Sequence, residues 1–355
     1  MSRESDGERL RELVLDNYQR TIEEQYGTRG TELLRVLGEA LTQTYRVLAP
    51  ELMSDGLTVF ATLSAEARPM AERVCMKLSS EQLVGRVHAG ATIQALGEDR
   101  FVLCGEQIDP VALAAAALVY RYQDGDHFVL GGMLARIAPR HPFASWWSVP
   151  AFFELEEALE AYREQVAIDC DCEILKAEIW HDAERRWILA NKPEDAMQRS
   201  LWRYLRNVMR GAQQVREVDR EQPVQGRRPP DIKITFSGSN RIALIEVKWM
   251  GASVNKDGTD LSSFKADEKS ANDGAQQLVD YLDANLQRAG KHQTMGYLVV
   301  YDARRDGVSL GDELTREQAY AYELRELSFS PDHAASRNDF ALPLRFYMRP
   351  LTPGA

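Results

Sequence analysis

Hydrophobic positions along the first half of the chain follow a helical period in some stretches and a strand period in others. Apolar residues recur every three or four positions over residues 8–26 and 30–47, which predicts two helices with one apolar face each. A third helix is predicted to begin with Asp109 as its cap and Pro110 in its first turn, followed by an alanine-rich body, and a fourth to run over residues 150–165. Short β-rich stretches between them predict strands at Leu57–Thr62, Arg100–Leu103 and His127–Leu130.

The second half of the chain has a different order of patterns. Two helices are predicted, from Pro193 to about Arg210 and near Ala275–Arg288. Polar connections are predicted over Gly211–Pro229 and Gly251–Gly274. Strands are predicted at Glu173–Trp180, Trp187–Ala190, Asp231–Phe236, Arg241–Lys248, Gly296–Asp302 and Leu342–Met348. The turn chemistry of Ser237–Asn240 joins the third and fourth of these strands into a hairpin.

These patterns predict two domains of mixed α/β (α+β) class. A chain of 355 residues is long for one domain when domains usually contain about 100–200 residues. Because the texture changes near residue 170, we expect an N-terminal mixed α/β domain over residues 1–170. We expect a second domain over residues 171–355, with a central mixed β-sheet flanked by helices.

Charged residues end the most apolar of the predicted strands. Four apolar residues, 242–245, precede Glu246, Val247 and Lys248, as expected of a strand covered on both faces. Side chains alternate along a strand, so Glu246 and Lys248 share one face. Counting back from the hairpin turn places Asp231 opposite Glu246, with an uncertainty of one or two residues. Two acids and one lysine therefore converge at the open end of the hairpin.

Only one of the Asp/Glu-x-Lys triplets in this sequence lies in a structural context that suits an active site. Three Asp/Glu-x-Lys triplets occur, and the one that begins at Asp267 lies in a polar stretch without a strand. The triplet that begins at Asp231 lacks a second acid before it. Only Glu246-Val247-Lys248 follows an apolar strand, with Pro230-Asp231 at hairpin distance. The alternative is an exposed ion pair at a strand end, which would carry no function.

Two carboxylates and a lysine suit the hydrolysis of a phosphodiester. The anionic phosphate repels hydroxide, so a cation is needed to polarise it and to activate a water molecule. Mg²⁺ prefers oxygen ligands and keeps several waters. Asp231, Glu246 and the Val247 carbonyl would supply those ligands for Mg²⁺ or Mn²⁺. Lys248 would orient or help deprotonate the attacking water and stabilise charge in the transition state.

The segment from Glu194 to Asp302 resembles the PD-(D/E)xK, or restriction-endonuclease-like, nuclease superfamily. The resemblance rests on Pro230-Asp231, on Glu246-Val247-Lys248 and on the order helix, strand, strand, helix, strand. It implies an acid in the first helix as a further metal ligand, at Glu194 with Asp195 as the alternative. Some members carry Gln-x-x-x-Tyr on the second helix, and Gln277 and Tyr281 match this motif as catalytic residues. About a third of the chain is covered by the resemblance, which says nothing about residues 1–170.

A local basic stretch stands out against the acidic chain. The net charge is −11, which argues against a protein that coats nucleic acid non-specifically. Between Arg199 and Lys233, however, the net charge is +5. This stripe would hold a phosphate backbone beside the metal. Its candidate nucleic-acid contacts are Arg203, Arg206, Arg210, Arg227 and Arg228.

The sequence therefore predicts a metal-dependent nuclease, a DNA endonuclease rather than an exonuclease, with RNA not excluded as substrate. The resemblance implies a role in bacterial restriction or antiviral defence and a partner protein such as an ATPase, or a homo-oligomer. Two alternatives stay open: a catalytically silent nucleic-acid-binding or scaffold subunit with the same fold, and an unrelated interaction protein. We expect a cytoplasmic protein without a membrane partner, because no secretory signal is visible and the four cysteines suggest a reducing compartment.

Overall fold

The chain forms two compact units, which divide after Pro150. A computed structural model describes residues 3–50, 53, 55–64, 74–83, 86–136, 145–148, 151–209, 215–220, 229–236, 241–265, 268–288, 293–311 and 313–351. The division lies about twenty residues before the boundary predicted from the sequence. The reason is that the helix over residues 151–162 packs on the helix over residues 194–209, within the second unit.

Both units are mixed α/β structures, as the sequence predicts. The helices are α1 (Arg3–Tyr26), α2 (Thr28–Val47), α3 (Ser80–Leu83), α4 (Pro110–Leu113), α5 (Ala151–Tyr162), α6 (Glu173–Glu178), α7 (Glu194–Met209), α8 (Lys269–Arg288), α9 (Arg316–Ala319) and α10 (His333–Ser336). The strands are β1 (Leu57–Thr62), β2 (Cys75–Ser79), β3 (Thr92–Gly97), β4 (Arg100–Cys104), β5 (Ala117–Tyr122), β6 (Asp126–Leu130), β7 (Met133–Ala135), β8 (Val215–Arg220), β9 (Ile232–Phe236), β10 (Arg241–Val254), β11 (Leu261–Lys265), β12 (Gln293–Ala303) and β13 (Leu344–Tyr347).

The first unit is built on a sheet in the order β2-β4-β3-β1-β5-β6-β7, counted over the described residues. The β1–β3 pair is parallel, and the other neighbours are antiparallel. The predicted apolar face of α2 is confirmed, because Leu33, Leu37 and Leu41 are buried in the core beside this sheet. Within the part of the chain that the structure describes, no helix is long and apolar enough to cross a membrane.

The second unit is built on a mixed sheet in the order β13-β12-β10-β9-β8, with β11 paired to the far end of β10. Strand β10 pairs in parallel with β12 and antiparallel with β9. Helix α8 packs on one face of the sheet, against Ile242, Leu244 and Met250 of β10. The other face meets α5 and α7, where the rings of Phe152 and Phe236 are in edge contact.

The predicted hairpin register is confirmed. Ile245 pairs with Ile232, and continuing the register by one residue places Glu246 opposite Asp231. The strand itself was predicted too short, since β10 continues past Lys248 to Val254 through its pairing with β11. The turn that joins β9 to β10 lies outside the described residues.

Two predicted strands are wrong, because residues 173–178 form helix α6 and Trp187–Ala190 contributes only isolated bridges through Leu189. The Cys172 Sγ caps this helix by accepting a hydrogen bond from the Leu175 amide at 3.3 Å. The adjacent residues Ile174 and Leu175 are both buried, a pattern that fits a helix rather than the alternation of a strand. Trp180 and Leu189, predicted in two strands, form only an isolated bridge.

Other elements were missed or predicted too long. Strand β8 lies in the predicted connection Gly211–Pro229, and β11 lies in the predicted connection Gly251–Gly274. Each pairs with a single neighbour, and neither has the alternating apolar pattern from which a strand is predicted. Helix α4 has the predicted Asp109 cap but ends after four residues, because the alanine-rich run passes into β5.

A buried charge cluster closes the end of β12. Asp302 has no exposed surface, and its carboxylate accepts bonds from Arg304 Nε at 2.9 Å and Arg304 Nη2 at 2.8 Å. Arg345 on β13 adds a bond from Nε at 2.8 Å. Burial by itself would raise the pKa of Asp302, but these two arginines outweigh it and hold that pKa below its ordinary value. The cluster therefore ties β13 to β12.

Replacing Asp302 with Asn should destabilise the second unit by about 3–5 kcal/mol at neutral pH, because the buried guanidinium group of Arg304 and the partly buried one of Arg345 lose their counter-charge. Denaturant unfolding of both proteins measures the difference. The pKa of Asp302 is lower in the folded state, so its stabilisation is present above the unfolded value of about 4 and is lost as the pH falls through the folded value. Asp306→Asn on the exposed turn nearby is the matched control. An equal loss from both variants would contradict the assignment.

Candidate active site at the open end of the hairpin

Strand alternation turns Glu246 and Lys248 toward α8. The even-numbered residues Ile242, Leu244 and Met250 of the same strand pack against α8, so Glu246 and Lys248 between them face the same way. Both charged side chains consequently lie in the interior between the sheet and a helix. Asp231, opposite Glu246 across the hairpin, belongs to the same face.

Glu246 is a fully buried carboxylate with one satisfied oxygen. Its side chain has no exposed surface, and Oε1 accepts a hydrogen bond from the Lys248 ammonium. Its second oxygen, Oε2, is buried and accepts no hydrogen bond. Burial, reinforced by the Asp231 carboxylate, raises the pKa of Glu246 above its ordinary value, although Lys248 opposes the shift. An unpaired buried oxygen is costly, which makes Oε2 a ready acceptor for a proton or a cation.

Lys248 is held by carboxylates on more than one side. Burial by itself would lower the pKa of Lys248, but Glu246 outweighs it, with Glu194 and Asp231 acting in the same direction, so the pKa is raised. Its side chain is only 12% exposed. In this state Lys248 is a cation and is not ready to act as a base.

Asp231 and Val247 meet at the end of β9. The Val247 amide donates a hydrogen bond to Asp231 Oδ2 at 2.7 Å. The N–H and C=O of one residue point to the same side of a strand, so the Val247 carbonyl also faces the edge where Asp231 lies. Asp231 is half-buried, whereas Glu246 is enclosed.

Gln277 and Tyr281 of α8 lie at the same end of the hairpin. Gln277 Nε2 donates to the Tyr281 hydroxyl at 2.5 Å, and that hydroxyl donates to the Pro229 carbonyl at 3.2 Å. Pro229 is two residues before Asp231, so Tyr281 braces the segment that presents this carboxylate. Burial raises the pKa of Tyr281, which keeps the hydroxyl protonated as a donor.

Glu194, and not Asp195, points toward the lysine. Glu194 Oε1 lies 4.0 Å from Lys248 Nζ. Asp195 instead forms an ion pair with Arg199 at 3.2 Å and a second one with Arg220. The structure thus brings Asp231, Glu246, Lys248, Gln277, Tyr281 and Glu194 into one neighbourhood.

The predicted basic stripe is only partly available for a phosphate backbone. Arg203 is exposed, and Arg206 lies over the Trp202 ring at 5.0 Å. Two further arginines of the stretch, Arg199 and Arg220, are neutralised by ion pairs with acids. The other predicted contacts, Arg210, Arg227 and Arg228, lie outside the described residues.

A divalent cation would depend on few protein ligands here. Within the ranges that the structure describes, no group of three or more His, Cys, Asp or Glu side chains is arranged to hold a metal ion. Two carboxylates and a backbone carbonyl suffice for Mg²⁺ because it retains several waters. The buried Oε2 of Glu246, which accepts no hydrogen bond, fits this use. The Val247 carbonyl, which faces the edge where Asp231 lies, also suits a ligand role.

Gly274 is the residue of this neighbourhood that the sequence did not single out. A Cβ at this position of α8 would overlap Lys248 Cγ and would lie 3.0 Å from Lys248 Cε and 3.2 Å from Leu298 Cδ1. The helix therefore approaches β10 closely enough to enclose the lysine stem. A glycine in the interior of a helix lowers its stability, so it usually reflects close packing against a neighbour. The glycine itself was therefore the signal in the sequence that could have identified this position.

Comparison with known proteins adds no relative: no family model, curated protein or solved structure matches this chain.

Gly274→Ala should destabilise the second unit by about 1–3 kcal/mol, because the added methyl group overlaps the stem of Lys248. At an unencumbered helix position the same change would stabilise by about 0.5–1 kcal/mol. Chemical denaturation of Gly274→Ala in the wild-type and Lys248→Ala backgrounds measures the overlap, since the alanine at 248 removes the atoms concerned. A loss of the same size in both backgrounds would show that Lys248 is not the obstacle.

Tyr281→Phe should weaken the brace on the Asp231 segment. It removes the hydrogen bond to the Pro229 carbonyl, for an expected loss of about 0.5–1.5 kcal/mol. Hydrogen exchange of the Val247 amide is the local measurement, because that amide donates to Asp231. Exchange should be faster in the variant. Unchanged exchange at Val247 would contradict a brace between α8 and this carboxylate.

Proposed function

We propose that the second unit is a metal-dependent nuclease that hydrolyses phosphodiester bonds with Mg²⁺ or Mn²⁺. One observation carries the proposal: two carboxylates and a lysine converge at one end of a buried hairpin, and Glu246 keeps a buried oxygen without a hydrogen-bond partner. A buried acceptor without a donor is uncommon and costly, so an ion pair that served only the fold would gain nothing from leaving one. Placing such a cluster inside the protein costs stability, which a catalytic task would explain.

Each residue has a task in this proposal. Asp231, Glu246 and the Val247 carbonyl would hold the cation, which on binding polarises the phosphate and activates water. Lys248 would stabilise the charge that develops on the phosphate oxygens, since its raised pKa keeps it cationic. Gln277 and Tyr281 would fix the segment before Asp231 through the Pro229 carbonyl.

The resemblance to the PD-(D/E)xK superfamily supports this assignment through element order. Helix α7, strands β9 and β10, helix α8 and strand β12 come in the order that the resemblance implies, with β8 inserted before β9 and β11 inserted after β10. By that resemblance the substrate is DNA, cut internally, in a role in bacterial defence that would involve an ATPase or another partner protein. Arg203 and Arg206 on α7 are the described residues that would meet the phosphate backbone.

A second candidate is a catalytically silent subunit that binds nucleic acid or serves as a scaffold. The observation in its favour is the enclosure of the ion pair, since Glu246 has no exposed surface and Oε1 is already bonded to Lys248. In such a subunit the same residues would only stabilise the fold. The two candidates differ in whether a divalent cation and a phosphodiester reach Glu246.

Incubation of the full-length protein with linear and circular DNA and with RNA, in Mg²⁺ or Mn²⁺ and with EDTA as control, tests the nuclease assignment. Asp231→Ala and Lys248→Ala should each reduce cleavage by about 10²–10³-fold, because each removes a charge that acts on the transition state. Lys248→Ala should leave DNA binding largely intact.

Two matched variants on an exposed turn of the same unit, Asp257→Ala and Lys256→Ala, control for loss of charge and should cleave like the wild type. Cleavage by Asp231→Ala at the wild-type rate would refute the assignment of this site. A wild-type protein that binds DNA and cuts nothing, with Mg²⁺ or Mn²⁺ and with candidate partners added, would favour the silent subunit.

A further inference from the structure

Lys248 has two carboxylates within reach of its ammonium group. One belongs to Glu246 on the same strand and is in direct contact. The other belongs to Glu194 in the first turn of α7, where Oε1 lies 4.0 Å from Lys248 Nζ. The second distance is longer than a hydrogen bond, so in this state the lysine pairs with Glu246 and has Glu194 as a neighbour.

The stem of Lys248 is fixed by packing, whereas its ammonium group can approach either Glu246 or Glu194. Gly274 closes over Cγ and Cε of the lysine, so the first part of the side chain cannot swing away from the sheet. Rotation about the Cδ–Cε bond moves only the ammonium group. The structure therefore allows a short transfer from one carboxylate to the other without any movement of β10 or α8.

A cation bound at Glu246 would displace the Lys248 ammonium group toward Glu194. Three carboxylates act on the charge of Lys248, those of Glu246, Glu194 and Asp231. Two of them would become ligands, and the cation would repel the ammonium group from both. Glu194 is the carboxylate that remains. Its neighbour Asp195 is already paired with Arg199 and Arg220 and cannot take its place.

We propose that Glu194 is a positioning residue for Lys248, which receives the ammonium group when a divalent cation takes the Glu246 carboxylate. This role rests on the proposed nuclease function and differs from the ligand role that the resemblance implies for Glu194. The lysine would be held at the edge of the cation site, where it faces the phosphate, instead of being buried against Glu246. Glu194, 35% exposed, can reorient to meet it.

A double-mutant cycle on Mn²⁺ binding tests the proposal without any measurement of cleavage. Titration calorimetry gives the Mn²⁺ affinity of wild type, Glu194→Gln, Lys248→Gln and the double variant, each as the full-length protein. With Lys248 present, Glu194→Gln should weaken Mn²⁺ binding by about tenfold, because the displaced ammonium group loses its counter-charge. With Lys248→Gln as background, the same change should alter affinity by less than about threefold.

Each of the other results has a definite meaning. An equal loss of affinity in both backgrounds would make Glu194 a direct ligand, and no loss in either would leave it without a part in binding. Both results overturn the proposal while the metal-dependent function stands. A wild-type protein that binds no Mn²⁺ overturns the function and this role together.

Two controls guard against loss of the fold. Glu178→Gln is a matched change at a surface acid whose partner is Arg199, and it should bind Mn²⁺ like the wild type. Thermal unfolding without Mn²⁺ identifies variants that fail to fold. Lys248→Met replaces Lys248→Gln if the glutamine variant is unfolded. Rescue by Glu194→Asp, which keeps the charge one methylene shorter, should restore part of the lost affinity in the Lys248 background.

Discussion

The second unit depends on the burial of a charged pair inside its central strand. Strand β10 is covered on both faces and is bonded to β9, β11 and β12, so the carboxylate at position 246 has no exposed surface in this state. Burying an unpaired charge there would cost a large amount of free energy, and the ion pair with Lys248 offsets part of that cost. The ion pair does not satisfy the whole carboxylate, because Glu246 Oε2 accepts no hydrogen bond. The features of the site follow from this incomplete neutralisation.

Close packing sets the geometry of that pair. A side chain at Gly274 would overlap the stem of Lys248. Gly296 on β12 is also closely covered, with Leu282 Cδ1 2.9 Å from where a Cβ would lie. Glycine on each element lets α8 approach the sheet with little space left for water. The electrostatic interaction between Lys248 and Glu246 is strong because packing excludes solvent from it. Packing and charge at this site therefore cannot be altered independently.

The sequence predicted those parts of the site that depend on local counting. Strand alternation and the length of the hairpin were enough to place Asp231 opposite Glu246. Gln277 and Tyr281, which are hydrogen-bonded to each other, were singled out only through the resemblance. Contacts that depend on the tertiary fold could not be predicted from the sequence. Nothing local indicates that Gly274 covers Lys248, or that Glu194 rather than Asp195 faces it. Edge strands such as β8 were missed because they lack an apolar pattern, and the contacts of β8 with β9 and α7 are set by the tertiary fold.

The connection from β10 to β12 makes the site dependent on a long stretch of chain. Arg241 pairs with Gln293, and α8 lies between the two strands in sequence and covers Glu246 in space. Such non-local pairings form late, after loop closure has been offset by other contacts. A ribosome-bound chain that ends before β12 would keep Glu246 and Lys248 in water, where their attraction is weak. The charged pair thus acquires its unusual properties only once the crossover is complete, which confines any chemistry it performs to the finished domain.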